Sequence, residues 1–173
     1  MGKWKDPRFT GTRVPTFREV AAVVPEGKKF YIEVKCGTEI VPRLLSEIDE
    51  SKLRDEQIVV ISFHSDVIAE IKNRRPEWIA NWLYAFDSKK PDSPNEKMPE
   101  LLRTLKSIRA DGLSSNAHPG IARAHLARLR EAGFQHHVWT VNDATTARRF
   151  LDLGTQSVTT DFPGRLRKAL HNR

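Results

Sequence analysis

Short apolar runs alternate with helix-period patterns along most of the chain. Runs of strand length fall at residues 30–35, 58–62, 82–86, 110–113, 137–141 and 157–161, with helical patterns between them. From Glu33, the marker positions Ile61, Tyr84, Gly112, Trp139 and Thr160 follow at steps of 28, 23, 28, 27 and 21 residues. A strand, a helix and two loops occupy about that length, so the pattern predicts consecutive strand–helix units and a parallel sheet.

Helix boundaries are marked chemically. Thr16-Phe17-Arg18-Glu19 has the form of a capping box, with Pro15 before it and Pro25-Glu26-Gly27 after the segment. Ser65 or Asp66 can cap the helix that carries Val67, Ile68 and Ile71, which stops before Pro76. His118-Pro119 is read as opening a helix with Leu126 and Leu129 on one face and Gly133 at its end. Asn142 or Asp143 opens the next, with Ala147, Phe150 and Leu151 on its apolar face and Gly154 after it. Residues 87–95 are polar, rich in proline and without apolar period, which predicts a loop over the carboxyl edge of the sheet.

Six such units fit an open doubly wound sheet or most of a (β/α)8 barrel. A nucleotide-binding sheet would carry a Gly-x-Gly-x-x-Gly turn or a P-loop after its first strand, and neither is present. The barrel is favoured. A complete one takes about 250 residues, so 173 residues make an α/β TIM barrel short of roughly two units, read as one domain over residues 1–173.

Within the first strand the pattern is broken by charge. Glu33 and Lys35 share one face, while Ile32 and Val34 share the other. Two charges on a strand face need a mutual pair, a metal or an anionic ligand to offset desolvation. A Glu–Lys pair on a solvated edge strand and a functional site both satisfy that need.

Composition narrows the classes of function. No uncharged apolar stretch is long enough for a membrane span, and the N-terminus lacks an apolar signal core, so a cytoplasmic location is expected of the chain as written. The lone Cys36 rules out an internal disulfide or a multi-cysteine metal site and reads as a small buried side chain. A net charge of +7 could attract an anionic partner, but no helix-turn-helix, zinc-finger or RNP signature accompanies it. Most of the basic residues, as at 123–130 and 165–168, read as outer helix faces, and no nucleic-acid partner is expected.

Several motifs then resemble one family. Trp139-Thr140-Val141-Asn142 at a strand end and Thr159-Thr160-Asp161-Phe162-Pro163 at the last strand end resemble the closing signature of glycerophosphodiester phosphodiesterases. Ile32-Glu33-Val34-Lys35 resembles the family's I-E-x-K strand, residues 14–20 the run before it, and Ile61-Ser62-Phe63 the next strand's S-F. The resemblance spans about residues 4–170 in the family's order. It implies a (β/α)8 barrel that hydrolyses glycerophosphodiesters to glycerol 3-phosphate and an alcohol with a divalent cation, Mg or Ca. It carries Glu33 over as a metal ligand, Lys35 as a cation beside the phosphate, and Trp139 as an apolar wall of the substrate pocket.

The family's H-R-G, E-x-D and H-D motifs, which hold both catalytic histidines and most metal ligands, are not in this sequence. The catalytic residues are therefore unassigned, and the fragment is expected to be inactive alone and to self-associate through open sheet edges. Of the six histidines, His136 and His137 are read as opening a strand at its amino end, His125 as mid-helix and His171 as tail. His64 and His118 lie near carboxyl-edge loops, where capping or surface roles are favoured over catalysis. Asp161 could cap the last helix, and Trp139 could be core. A related barrel phosphodiesterase, similar to phosphatidylinositol-specific phospholipase C or sphingomyelinase D, and a non-catalytic anion-binding scaffold are the alternatives.

Overall fold

The computed structural model describes residues 2–171. Its strands are β1 (Phe30–Val34), β2 (Ile58–Ser62), β3 (Ile79–Tyr84), β4 (Gly112–Asn116), β5 (Gln135–Trp139) and β6 (Ser157–Val158), all parallel and bonded in chain order. A doubly wound sheet reverses its order at a switch point, which this sheet never does. Crossovers of one hand in unbroken order put the helices on one face and curl the sheet, giving an incomplete barrel.

Between the strands run α2 (Val41–Asp49), α3 (Ser65–Arg74), α4 (Ser93–Ser107), α5 (Arg123–Glu131) and α6 (Ala144–Leu153). The short α1 (Phe17–Ala21) precedes β1, and α7 (Pro163–His171) follows β6. The capping box at α1 forms as the sequence predicts, with Thr16 and Glu19 bonding each other's backbone N–H. Asp143 caps α6 by accepting from the Thr146 N–H, and Gly154 ends it at φ 103°, a left-handed conformation that favours glycine.

The two sheet faces differ in chemistry. Ile58, Val60, Ala80, Leu113 and Val138 point outward and pack with helix residues such as Ile48, Ile68, Ile71, Leu105 and Phe150 in one core. Each fully buried side chain of this kind contributes about 1.5–3 kcal/mol, which fixes the register of every strand. By alternation the inner face then carries Tyr31 and Glu33, Val59 and Ile61, Asn81 and Leu83, Gly112 and Ser114, and His137 and Trp139. A Cβ at Gly112 would lie 2.6 Å from the Gln135 carbonyl oxygen and 2.9 Å from Asn81 Oδ1, so only glycine lets β4 pass there.

Several boundaries differ from the sequence reading. The third strand starts at Ile79, three residues early, because the turn that closes α3 ends at Trp78, whose N–H donates to the Arg75 carbonyl. It stops at Tyr84 because Asn116 takes over the Phe86 backbone, with Oδ1 accepting its N–H and Nδ2 donating to its carbonyl. The fourth strand runs through Ser114, Ser115 and Asn116, polar residues that an apolar-run criterion drops. The predicted loop at residues 87–95 ends at Asp92, since Ser93 and Pro94 are buried in the first turn of α4.

His118-Pro119 forms a turn, not a helix start. The Ile121 N–H donates to the His118 carbonyl, and α5 begins only at Arg123. Cys36, read as buried, is exposed, because it lies just beyond the end of β1.

Candidate active site

At the carboxyl end of the inner face lies a hollow of about 210 Å³. Tyr31 and Glu33 of β1, Ile61 and Phe63 at the end of β2, Leu83 of β3, and His137 and Trp139 of β5 line it, with Thr140 and Thr159 at the strand ends. Trp139 is held by its indole N–H, which donates to the Ser114 carbonyl at 3.1 Å, and Phe63 meets its ring edge-on at 5.7 Å. Three aromatic side chains, Tyr31, Phe63 and Trp139, and two aliphatic ones, Ile61 and Leu83, give the hollow apolar walls, and Glu33 supplies a carboxylate at their edge.

Glu33 and Trp139 thus come together, whereas Lys35 does not line the hollow. The Lys35 ammonium is 3.5 Å from Glu33 Oε2, with the two side chains 78% and 34% exposed. A pair this open to solvent is worth at most about 1 kcal/mol, so it does not account for the charges as a stabilising device.

The histidines sort differently from the sequence reading. The ladder pairs Gln135 with Gly112, so β5 begins two residues early and His137 lies mid-strand, facing inward into the hollow. Its Nδ1 is 2.7 Å from the Ser157 hydroxyl, while Nε2 is buried without a partner. Burial pushes the His137 pKa down, so the ring is neutral at physiological pH. A register shift of two residues, invisible in an apolar-run count, is why sequence reasoning set this residue aside.

His136 points the other way, into the core against Phe150. The Thr155 hydroxyl donates to the His136 carbonyl and accepts from Nδ1, leaving Nε2 to meet the Ser115 hydroxyl at 3.0 Å. His118 is buried rather than superficial: its Nδ1 accepts from the Gly120 N–H, so Nε2 donates to the Asp87 carbonyl and ties the β3 and β4 loops. His125 is at the first turn of α5, not its middle, where Nδ1 accepts from the Ala122 N–H and Nε2 donates to Asn95. His64 is exposed before α3, with no side-chain cap bond. None of these four lines the hollow.

Among the described residues, Asp161 makes no side-chain hydrogen bond to the last helix. Its carboxylate accepts from Asn142 Nδ2 at 2.8 Å, which links the connections following β5 and β6. The residues 87–92 loop contributes nothing to the lining, although His118 holds it to the same end of the sheet. A larger hollow, about 700 Å³, opens at the amino end between α1 and the segment before β2. Most of its charged rim is internally paired, Arg18 with Glu50 and Arg54 with Glu26, and it lies at the far end from Trp139.

The chain matches the sequence profile of the glycerophosphoryl diester phosphodiesterase family over residues 1–165. It belongs to that family. A glycerophosphodiester phosphodiesterase of Bacillus subtilis is 24% identical over 167 residues, covering 91% of this chain and 54% of the relative. Glycerophosphodiester phosphodiesterase GDPD4 of Arabidopsis thaliana is 24% identical over 159 residues, 88% of this chain and 45% of the relative. The chain therefore spans about half the length of these curated relatives. In fold it resembles an Oleispira antarctica phosphodiesterase solved in complex with the product sn-glycerol-3-phosphate, with a TM-score of 0.82 at 18% identity. That alignment covers 97% of this chain and 66% of the other.

Members of this family are generally dependent on a divalent metal. Among the described residues, no group of three or more His, Cys, Asp or Glu side chains converges as a metal site. Glu33 alone supplies a small part of the 6 to 8 oxygens that calcium takes, so the residues of this chain do not by themselves fit the ion.

Proposed function

We propose that this chain forms the carboxyl-terminal part of a phosphodiesterase barrel that hydrolyses glycerophosphodiesters to glycerol 3-phosphate and an alcohol. Family membership supports the reaction class. The observation that carries the site is the convergence of Glu33 and Trp139 on one hollow at the carboxyl end of the inner sheet face, where barrel enzymes bind their substrates.

In this reading Trp139 walls the glycerol end of the substrate, and Lys35 at the rim is a cation near the phosphate. Glu33 contributes one carboxylate to a divalent cation, Mg or Ca, whose other ligands come from outside this chain. Such an ion would supply charge neutralisation at the phosphate. The chain's own residues bind and orient, and no acid–base pair is assigned to them. General acid–base catalysis is worth about 10²- to 10⁴-fold, so turnover by this chain alone should be near background.

The test is an assay of glycerophosphocholine hydrolysis with magnesium or calcium, coupled to detection of glycerol 3-phosphate. Background turnover alone, and turnover restored on co-expression with a segment encoding H-R-G, E-x-D and H-D, is the expected result. Restored turnover should fall by at least 10-fold in Glu33→Gln. Robust hydrolysis by the pure chain would overturn the division of labour, and restored activity indifferent to Glu33→Gln and Trp139→Ala would overturn the site.

A non-catalytic anion-binding role is the second reading. It is favoured by one observation: among the described residues, the one histidine that lines the hollow, His137, is buried two residues behind Trp139, away from the rim where a phosphate would meet solvent. Ligand binding without restorable turnover would select it.

A further inference from the structure

One side chain lining the hollow carries a polar atom that neither the fold nor the proposed chemistry uses. Nε2 of His137 is buried and has no hydrogen-bond partner, on a side chain that lines the hollow. A buried imidazole nitrogen gives up its bond to water, and native proteins rarely leave such a group unpaired without a reason. Its orientation is fixed from the other side, because Ser157 is its register partner on β6 and the Ser157 hydroxyl lies 2.7 Å from Nδ1. A ring clamped at Nδ1 presents Nε2 in one direction only, as second partners of ligating histidines generally do.

We propose that Nε2 of His137 binds a hydroxyl group of the ligand at the bottom of the hollow, with Ser157 as the residue that positions it. The assignment to a hydroxyl, not to the phosphate, follows from depth and charge. His137 is two residues further from the carboxyl edge than Trp139, on the same strand face. The charged groups, Glu33 and Lys35, pair with each other at the rim. An anion would sit there, where a cation and solvent are at hand, while a neutral imidazole enclosed by Ile61, Leu83 and Trp139 suits an uncharged oxygen. A site built to bond a hydroxyl discriminates strongly against an analogue that lacks it, because the buried partner is then left unpaired.

This inference rests on the reading of the hollow as a glycerol phosphate pocket, and its test separates the two. The full chain, with ¹⁵N-labelled histidine, is titrated with sn-glycerol 3-phosphate and with propyl phosphate, which keeps the phosphate and lacks both hydroxyls. The expected result is affinity about tenfold higher for glycerol 3-phosphate, on the scale of one net hydrogen bond. The His137 Nε2 resonance should move with glycerol 3-phosphate and stay with propyl phosphate, and His136 should be unmoved by either. His137→Phe should bind both ligands alike, and His137→Gln, which restores a polar group, should recover part of the preference. Should His137→Phe fail to fold, the ring resonances of the unaltered chain still decide. Equal affinity of that chain for the two ligands, or a preference with no Nε2 response, overturns the role of His137 and leaves the pocket standing. Failure of both ligands to bind overturns the pocket and the inference together.

Discussion

Asn142 and Asp161 tie the last two connections of the sheet to each other. The Asn142 amide donates from Nδ2 to Asp161 Oδ2 at 2.8 Å, and its Oδ1 accepts from the Asp161 N–H at 2.9 Å and the Thr160 hydroxyl at 3.0 Å. These residues belong to the two closing motifs, which share this crossbar although 19 positions separate them. Because Thr140 and Thr159 line the hollow from the same connections, the crossbar holds one side of its mouth.

Asn142→Ala removes all three bonds and should cost about 1–3 kcal/mol, or roughly 2–4 °C of melting temperature per kcal/mol. Asn142→Asp should be worse at neutral pH, since it sets a second carboxylate against Asp161, and its deficit should shrink with added salt. Scanning calorimetry of both variants at low and high ionic strength checks this. Equal melting temperatures for all three proteins would show that the crossbar does not hold the mouth.

Acid should destabilise the protein before its carboxylates titrate. Burial lowers the pKa of His136 from 6.5 to about 3, and burial also lowers those of His137 and His125. Between those limits the unfolded chain binds a proton at His136 that the native state refuses, so stability is fully present above pH 6.5 and is lost as pH falls toward about 3. The whole window is worth on the order of a few kcal/mol. Urea midpoints at about pH 7.5 and about pH 5 should differ, and the difference should narrow in His136→Gln. A midpoint unchanged or raised at the lower pH would contradict the burial of these rings.

The order of the strand–helix units and the parallel sheet were legible because alternation and spacing carry them, whereas the convergence of Glu33 and Trp139 on one hollow was expected only from the family resemblance. Glu33 had to face inward once Ile32 and Val34 were committed to the helix side. What was not legible depended on polar groups satisfied at a distance. Ser114 and Ser115 look unlike strand residues until their burial between two covered faces is known. The capture of the Phe86 backbone by Asn116 ends β3 through a side chain 30 residues away. His137 was set aside for the same reason: its place on the wall of the hollow follows from the register of β5 against β4, which an isolated apolar run does not encode.

Metal binding by this chain should be weak. A lone carboxylate at the rim, already 3.5 Å from the Lys35 ammonium, competes poorly with water for magnesium or calcium. Calorimetric titration should give no sub-micromolar site, and Lys35→Ala should change that little, because removing a competitor does not add ligands. A tight, stoichiometric site would require a set of oxygens that the described residues do not assemble.

The sheet edges make the final prediction. Among the described residues, β1 pairs only with β2 and β6 only with β5, which leaves one side of each terminal strand with unpaired backbone donors and acceptors. Such edges are templates for strand addition. The inner face contributes less than its apolar content suggests: Val59 and Leu83 are buried by the curl of the sheet, and Tyr31 and Phe63 are the large apolar side chains it leaves exposed. Association should therefore run through backbone pairing at β1, not through a broad apolar patch. On size-exclusion chromatography the chain should shift to larger species as concentration rises. Amide exchange in β1 should slow in step with that shift, while exchange in the central strands β3 and β4 stays constant. Co-expression of a segment that supplies the flanking strands should return a single species with β1 protected at every concentration. A monodisperse monomer whose β1 and β6 amides are already strongly protected would mean that the chain closes its own edges, and that the sheet needs no partner.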